Sequence, residues 1–202
     1  MLTLYGSSQG RPSRSLIALE EMGLAYAQVP LKPWESPADA ATLATLNPNA
    51  RVPVLDDDGL AVWESMAINL YLGDRYGGPQ WPTEARDRAR LYQWSLWSQT
   101  SVDVMARHRA RFSDDPQTKA RGEAERLAAL AILDAALADR PYLLGEAFTL
   151  ADLNVVATLV EPWENGRIDG NLDPADHGLP ALAGWLARCI SRPSWAKVRA
   201  LP

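Results

Sequence analysis

The stretch NPNARVPVLDDDGLAVWESMAINLYL, residues 47–72, decides the fold of the first part of this chain. Two short apolar runs, residues 54–55 and 60–63, flank an Asp-Asp-Gly turn, and this pattern predicts a β-hairpin. Apolar residues at helical spacing then predict a helix over residues 65–76. The chain therefore changes from paired strands to a helix within a few residues of Glu64-Ser65.

A proline directly before the first of these strands is the unusual feature of the stretch. Pro53 has no N–H to donate to a strand ladder, so it belongs at a sheet edge or at a special backbone site. A cis Val52–Pro53 bond would turn the N–H and C=O of Val52 outward, where a peptide-like ligand can pair with them. The alternative is that Pro53 only shapes a turn.

Glu64 and Ser65 occupy the predicted start of the helix. A serine hydroxyl and the unpaired amides of a first helical turn together form an anion site. A carboxylate bound there would lie near the exposed backbone of Val52. The alternative is that Ser65 only caps the helix.

The sequence before and after this stretch predicts two domains. Residues 1–78 show the order β-α-β-α-β-β-α, and a linker rich in glycine and proline follows over residues 79–86. No further strand pattern occurs, so residues 87–202 are predicted to form an all-α domain. Its helices are predicted over residues 84–112, 117–138, 150–161, 180–190 and 193–200.

Composition excludes several classes of function. The 202 residues carry a formal net charge of −5 with no block of like charges, which argues against a nucleic-acid partner. No signal peptide and no apolar run of membrane-spanning length is visible, so a cytoplasmic protein without a membrane partner is expected. One cysteine and two histidines give neither a disulfide nor metal-ligand spacing, so no metal is expected.

Four segments occur in an order that is typical of one known family. Thr149 and Asp152, in the third of them, also form a capping-box pattern at a helix start. The segments are LTLYGSSQGRPSRSLIALEEMGLAY (2–26), NPNARVPVLDDDGLAVWESMAINLYL (47–72), RPYLLGEAFTLADLNVVATL (140–159) and LPALAGWLARCISRPSWAKV (179–198). Together they resemble the cytosolic glutathione transferases, with a bacterial, serine-type character.

The resemblance implies a fold, a reaction and partners. The first domain would be thioredoxin-like and would bind glutathione as co-substrate, and the second would be the family's helical domain. The enzyme would activate the glutathione thiol as a thiolate and conjugate it to a small hydrophobic electrophile, a detoxification reaction. The resemblance also implies a homodimer, with the long helix at 84–112 supplying much of the interface.

The resemblance places the thiol-activating group in the loop of residues 7–11. A free thiol with a pKa near 8.5 is mostly protonated at neutral pH, so the loop must donate a hydrogen bond or place positive charge near the sulfur. The family's usual serine position falls on Gln9 here. Ser8 is the first candidate donor and Ser7 the second, while the Gln9 amide or the charge of Arg11 are alternatives.

The remaining site residues follow from the same resemblance. Glutathione would be bound by Gln9, Val52, Pro53, Glu64 and Ser65, with Arg51 facing its anionic groups. The second substrate would contact an apolar stripe on the long helix, whose alternative role is core packing. That stripe comprises Trp97, Ser101 and Met105.

Two other functions compete with glutathione conjugation. A glutathione-dependent disulfide reductase or peroxidase could use the same fold, and a non-catalytic binding protein could keep the fold alone. The intact Val52-Pro53 and Glu64-Ser65 pairs favour a protein that binds the ligand. The missing serine at position 9 favours the two competing functions.

Overall fold

The computed structural model describes residues 1–107, 113–162, 167–168 and 172–201, and the side chains of residues 103–107 lie outside this description. The chain divides into two units. One comprises Met1–Trp81 together with Arg192–Pro202, and the other comprises Pro82–Ser191.

A four-stranded sheet forms the centre of the first unit, with the strand order β2-β1-β3-β4. Strand β1 runs parallel to β2 and antiparallel to β3, and β3 pairs antiparallel with β4. The predicted thioredoxin-like order of elements is confirmed. Its elements are β1 (Leu2–Tyr5), α1 (Pro12–Glu21), β2 (Tyr26–Val29), α2 (Pro37–Ala44), β3 (Val54–Asp57), β4 (Leu60–Trp63) and α3 (Ser65–Tyr76).

The acidic turn between β3 and β4 fastens the hairpin to α3. Asp56 Oδ1 accepts a hydrogen bond of 2.7 Å from the amide of Gly59 inside the turn. Asp57 Oδ2 accepts the hydroxyls of Tyr76 at 2.6 Å and Tyr71 at 2.7 Å, both from α3. These two donors hold the pKa of Asp57 below its usual value. The predicted hairpin is present, and its first strand extends to Asp57.

Apolar residues of the sheet and of two helices form the core of the first unit. The sequence alternation of β1 points Leu2 and Leu4 inward, and α1 and α3 cover them with fully buried side chains. The buried residues of these two helices include Leu16, Ile17, Leu19, Ile68 and Leu72.

The last helix of the chain belongs to the first unit and not to the helical one. Helix α8 (Pro193–Arg199) packs on α1, where the Glu21 carboxylate accepts hydrogen bonds from Arg192 at 2.7 and 2.9 Å. Ser194 Oγ also donates to Glu21 at 2.5 Å. The predicted helical domain of residues 87–202 therefore differs from the structure at its end, because a helical pattern does not reveal which surface the helix will cover.

The second unit is helical over its described residues. Its elements are α4 (Ala85–Trp97), a π-helix (Ser98–Arg107), α5 (Pro116–Ala136), α6 (Leu150–Leu159), a 3₁₀ turn (Pro174–His177) and α7 (Pro180–Ile190). Among the described residues, no helix has the length and apolarity needed to cross a membrane.

The helix predicted over residues 84–112 differs from the structure in its winding. It is α-helical to Trp97 and π-helical from Ser98 to Arg107, and residues 108–112 lie outside the described part of the chain. A π-helix closes i→i+5 hydrogen bonds, and residue periodicity over ten positions does not separate it from an α-helix.

The predicted capping box at the start of α6 is confirmed. Thr149 Oγ1 accepts the amide of Ala151 at 3.2 Å, and Asp152 Oδ2 accepts the amide of Thr149 at 3.0 Å. Asp152 Oδ1 also accepts the amide of Leu143 at 2.8 Å and Trp185 Nε1 at 2.9 Å. Burial raises the pKa of the Asp152 carboxyl, while these donors act to lower it. One buried side chain thus holds a loop, a helix start and α7 together.

Removal of this carboxylate is expected to cost much of the stability of the helical unit. In Asp152→Ala at least three buried donors lose their acceptor, at about 1–3 kcal/mol each, so the free energy of unfolding should fall by at least about 3 kcal/mol. Asp134→Ala is the matched control, because half-buried Asp134 accepts a single amide, that of Leu182, at 2.8 Å. It should cost about 1 kcal/mol. Urea unfolding of both variants measures the difference, and equal losses would contradict this role for Asp152.

Candidate functional site

Three segments meet at Gly6, directly after β1. A Cβ atom on Gly6 would lie 2.7 Å from Cγ of Pro12 and 3.2 Å from Cβ of Val52. The φ of Gly6 is 138°, a conformation that is essentially restricted to glycine. Gln28 Nε2 in β2 donates to the Gly6 carbonyl at 3.0 Å and holds it in place. The loop of residues 7–11 therefore lies between β1 and Pro12 with its start next to Val52.

The Val52–Pro53 bond is cis, which is one of the two alternatives that the sequence leaves open. Neither the amide nor the carbonyl of Val52 forms a hydrogen bond with another described residue. The segment before it is fixed by Asn47, which is 3% exposed. Asn47 Nδ2 donates to the carbonyl of Arg51 at 2.8 Å, and its Oδ1 accepts the amide of Asn49 at 2.9 Å. The main chain of Val52 is thus held in place by its neighbours and has no hydrogen-bond partner in the described part of the chain.

Strand register brings Ser65 to the same end of the hairpin as Val52. Val54 pairs with Trp63, so Val52, two residues before this pair, and Ser65, two residues after it, both follow the same end of the hairpin. Ser65 is the first residue of α3 and is 4% exposed. Its carbonyl accepts a hydrogen bond of 3.4 Å from Ser15 Oγ of α1.

Glu64 occupies the cap position of α3 in a strained backbone conformation. Its φ is 72°, where non-glycine residues are rare and are concentrated at ligand sites. Its side chain is exposed and makes no capping hydrogen bond. The Glu64 side chain therefore leaves the first backbone amides of α3 uncapped. The alternative that Ser65 caps the helix is wrong, because Ser65 lies inside the helix. The first backbone amides of α3 can bind an anion, and the exposed carboxylate of Glu64 lies next to them in the chain.

The loop candidates for thiol activation differ sharply in their surroundings. Ser7 is fully buried, and its hydroxyl has no hydrogen-bond partner among the described residues. Ser8 is 6% exposed, and its hydroxyl donates to the carbonyl of Leu201 at 3.0 Å. Gln9 and Arg11 are exposed.

The predicted electrophile-contacting residues lie in the helical unit. Trp97 and Ser101 are half-buried, and the ring of Trp97 meets that of Trp94 edge-on at 5.2 Å between centroids. The side chain of Met105 lies outside the described part of the chain. Because residues 98–107 are π-helical, the α-helical spacing that linked these residues changes after Trp97. Their role stays a prediction.

Comparison with known proteins assigns the family. The family model "Glutathione S-transferase, N-terminal domain" matches residues 1–74, and "Glutathione S-transferase, C-terminal domain" matches residues 96–193. Glutathione S-transferase theta-1 of Mus musculus is 30% identical over 204 residues, which cover 93% of this chain and 82% of that protein. The chain belongs to the glutathione S-transferase family. The expected family, fold class and enzyme class are thereby confirmed.

Bacterial relatives of this glutathione transferase match along nearly its whole length. The Escherichia coli K12 protein named glutathione S-transferase GstB is 29% identical, covering 100% of this chain and 99% of its own. A theta-class glutathione S-transferase of Xanthomonas axonopodis pv. citri, solved with glutathione bound, has a TM-score of 0.80 at 28% identity, covering 97% and 95% of the two chains. The serine-type subclass stays a prediction.

The sequence does not identify three residues that position the candidate site of this glutathione transferase. Gly6 and Ser15 lie within a quoted segment, yet nothing in the sequence shows that they contact Pro12 and Ser65. Asn47 carries a weak signal, because Asn-Pro favours a turn. Among the described residues no group of His, Cys, Asp and Glu side chains is arranged to hold a metal ion.

Substitution of Gly6 should disturb the glutathione transferase site more than substitution of its neighbour in the loop. Gly6→Ala must move Pro12 or Val52 and also holds an unfavourable φ, so we expect a loss of at least about 3 kcal/mol in the free energy of unfolding. Gly10→Ala is the control. Its φ is 72°, but nothing lies within 4 Å of the added methyl group, and about 1 kcal/mol is expected. Thermal unfolding of both variants tests the contact, which similar losses would refute.

Proposed function

We propose that this glutathione transferase binds glutathione at the end of the β3–β4 hairpin and conjugates its thiolate to small apolar electrophiles. The observation that carries the proposal is the main chain of Val52, which has no hydrogen-bond partner among the described residues and lies at the same end of the hairpin as the start of α3. Main-chain pairing with Val52 suits a peptide, and the start of α3 suits a carboxylate. Glutathione supplies both groups.

Each end of glutathione has a chemically suitable partner. The γ-glutamyl carboxylate would accept hydrogen bonds from the Ser65 hydroxyl and the first amides of α3, while the Glu64 carboxylate attracts the ammonium group. The cysteinyl residue would pair with the N–H and C=O of Val52, which Pro53 holds in this orientation. Exposed Arg51 would face an anionic group of the ligand.

The loop of residues 7–11 would stabilise the thiolate. When the thiol loses its proton to water, a hydroxyl that donates to the sulfur lowers the thiol pKa. Ser8 is the proposed donor, with Ser7, the Gln9 amide and the charge of Arg11 as alternatives. The thiolate then attacks the electrophilic carbon, a C–S bond forms, and the leaving group departs with its electron pair. Trp97, Ser101 and Met105 stay the predicted contacts of the electrophile.

A glutathione-dependent disulfide reductase or peroxidase is the second candidate. The observation that favours it is the hydrogen bond from Ser8 to Leu201, which already uses the proton of the first-choice donor. Assays with an aryl halide and with a mixed glutathione disulfide separate the two reactions. Conjugation without disulfide reduction supports the main proposal, and the reverse result supports the alternative.

Loss of the Ser65 hydroxyl should weaken glutathione binding. Ser65→Ala removes a hydrogen bond to a charged group, so we expect the binding free energy to fall by roughly 1–2 kcal/mol in calorimetry. Ser191→Ala is the control, since the hydroxyl of this exposed serine donates to the carbonyl of Arg188 at 3.0 Å, outside the proposed site. Affinity that is unchanged in Ser65→Ala would contradict the proposed orientation of glutathione.

The protein is further proposed to act as a cytoplasmic homodimer that pairs through the predicted helix of residues 84–112. Leu96 on α4 supports this, because its apolar side chain is 58% exposed. Leu96→Glu should therefore raise the dimer dissociation constant in analytical ultracentrifugation. Trp34→Glu is the control, because Trp34 is 59% exposed but lies outside that helix. A parent protein that sediments as a single chain at micromolar concentration would refute the dimer under those conditions.

A further inference from the structure

The segment of residues 192–201, which contains α8, reaches back to the loop that carries Ser8. Ser8 Oγ lies 3.0 Å from the carbonyl oxygen of Leu201. A carbonyl carries no proton, so the serine hydroxyl is the donor. A hydroxyl has one proton and serves one acceptor well, so Ser8 cannot donate fully to Leu201 and to a second acceptor at the same time.

Two ion pairs to α1 hold the segment that carries Leu201 in position. The Glu21 side chain, which is 5% exposed, receives the two-pronged ion pair from Arg192 at the start of the segment. Charge-assisted pairs of this kind are short, strong and geometrically specific. Glu20 binds Lys197 at 3.0 Å one turn further along α8. The Leu201 amide donates to the carbonyl of Val198 at 3.1 Å, which fixes the Leu201 peptide relative to α8.

We propose that the Leu201 carbonyl competes with the glutathione sulfur for the single proton of Ser8, so that the C-terminal segment controls thiolate formation. The proposal rests on the function proposed above, in which Ser8 is the donor. After the thiol loses its proton to water, the thiolate is the stronger acceptor. The Ser8 hydroxyl then turns from Leu201 to the sulfur, and the carbonyl loses its partner.

The broken hydrogen bond opposes ionisation of the thiol. A net hydrogen bond contributes about 0.5–1.5 kcal/mol, which corresponds to about half a unit to one unit of pKa. The bound thiol therefore keeps a higher pKa than Ser8 alone would give it. The charged side chains of the elements around this contact are Arg11, Arg14, Glu20, Glu21, Arg192, Lys197 and Arg199, and a valid test must leave all seven in place.

Two chains that differ by a single residue isolate the carbonyl. One ends at Leu201 and the other at Ala200, and both carry a C-terminal amide so that no terminal carboxylate approaches Ser8. Thiolate absorbance of bound glutathione is titrated against pH in each. The chain that ends at Ala200 should show a thiol pKa lower by about half a unit to one unit, and kcat about three- to tenfold higher at pH values below that pKa, with little change in KM. Melting temperatures check that both chains are equally folded.

Ser8→Ala in both chains completes the test. The difference in pKa between the two chains should vanish, because Leu201 acts only through the Ser8 hydroxyl. Ser194→Ala in the full chain is a second route, since it loosens the anchor at Glu21 without changing charge, and should lower the pKa in the same direction.

Three results would overturn the proposal. Equal thiol pKa values in the two chains with Ser8 present would show that Leu201 does not compete for the proton. If Ser8→Ala nevertheless raised the pKa, Ser8 would remain the donor and the proposed function would stand. A higher pKa in the chain that ends at Ala200 would mean that the carbonyl assists Ser8 instead of competing. An unchanged pKa in Ser8→Ala would exclude Ser8 as the donor, and the inference would fall together with that assignment.

Discussion

The close approach of three segments at Gly6 is the constraint on which the site depends. No side chain fits between β1, the first turn of α1 and Val52, since a single methyl group on Gly6 would meet Pro12 at 2.7 Å. The approach brings the start of the loop of residues 7–11 next to Val52, whose main chain is the proposed partner of glutathione. The proposed glutathione site therefore depends on a glycine at position 6, because it draws on groups from both the loop and Val52.

Backbone strain at the candidate site occurs at Glu64, and hydrogen-bonded neighbouring residues stabilise its conformation. Glu64 adopts a φ of 72° at the start of α3, a position that a glycine would fill at less cost. The surrounding structure fixes it, because the hairpin pairs on one side and Asp57 binds the hydroxyls of Tyr71 and Tyr76 on α3 on the other. A strained residue next to unpaired main-chain groups is consistent with binding as the reason for its conformation.

Buried polar groups also shape the helical unit. Asn154 Nδ2 in α6 donates to Ser95 Oγ at 2.9 Å, and Gln99 Nε2 donates to Thr158 Oγ1 at 3.1 Å. Ser98, where the π-helix begins, donates its hydroxyl to the carbonyl of Ser95 at 2.9 Å. Buried polar side chains are stable only when they are paired, so these contacts favour one register of α4 against α6. The change from α- to π-helical winding occurs within this network.

The sequence by itself determined the order of elements, the hairpin, the cis-proline position and the capping box, because each depends on residues that are close together in the chain. Turn chemistry at Asp57-Asp58-Gly59 and the Thr149–Asp152 spacing act over three or four residues. The family, and with it the enzyme class, also followed from the quoted segments.

Only the tertiary structure decided which distant groups meet. Residues 192–202 read as the end of a helical domain, but the buried carboxylate of Glu21 attracts Arg192 across 171 positions of the chain. The sequence makes Ser8 the first candidate donor to the glutathione sulfur, but in the structure Leu201, 193 positions away, accepts its proton. Neither contact leaves a periodic signal, because a hydrogen bond between remote residues depends on how helices pack and not on the residues beside each partner. The sequence thus determined which elements form the candidate site, and packing decided which acceptor the Ser8 hydroxyl donates to.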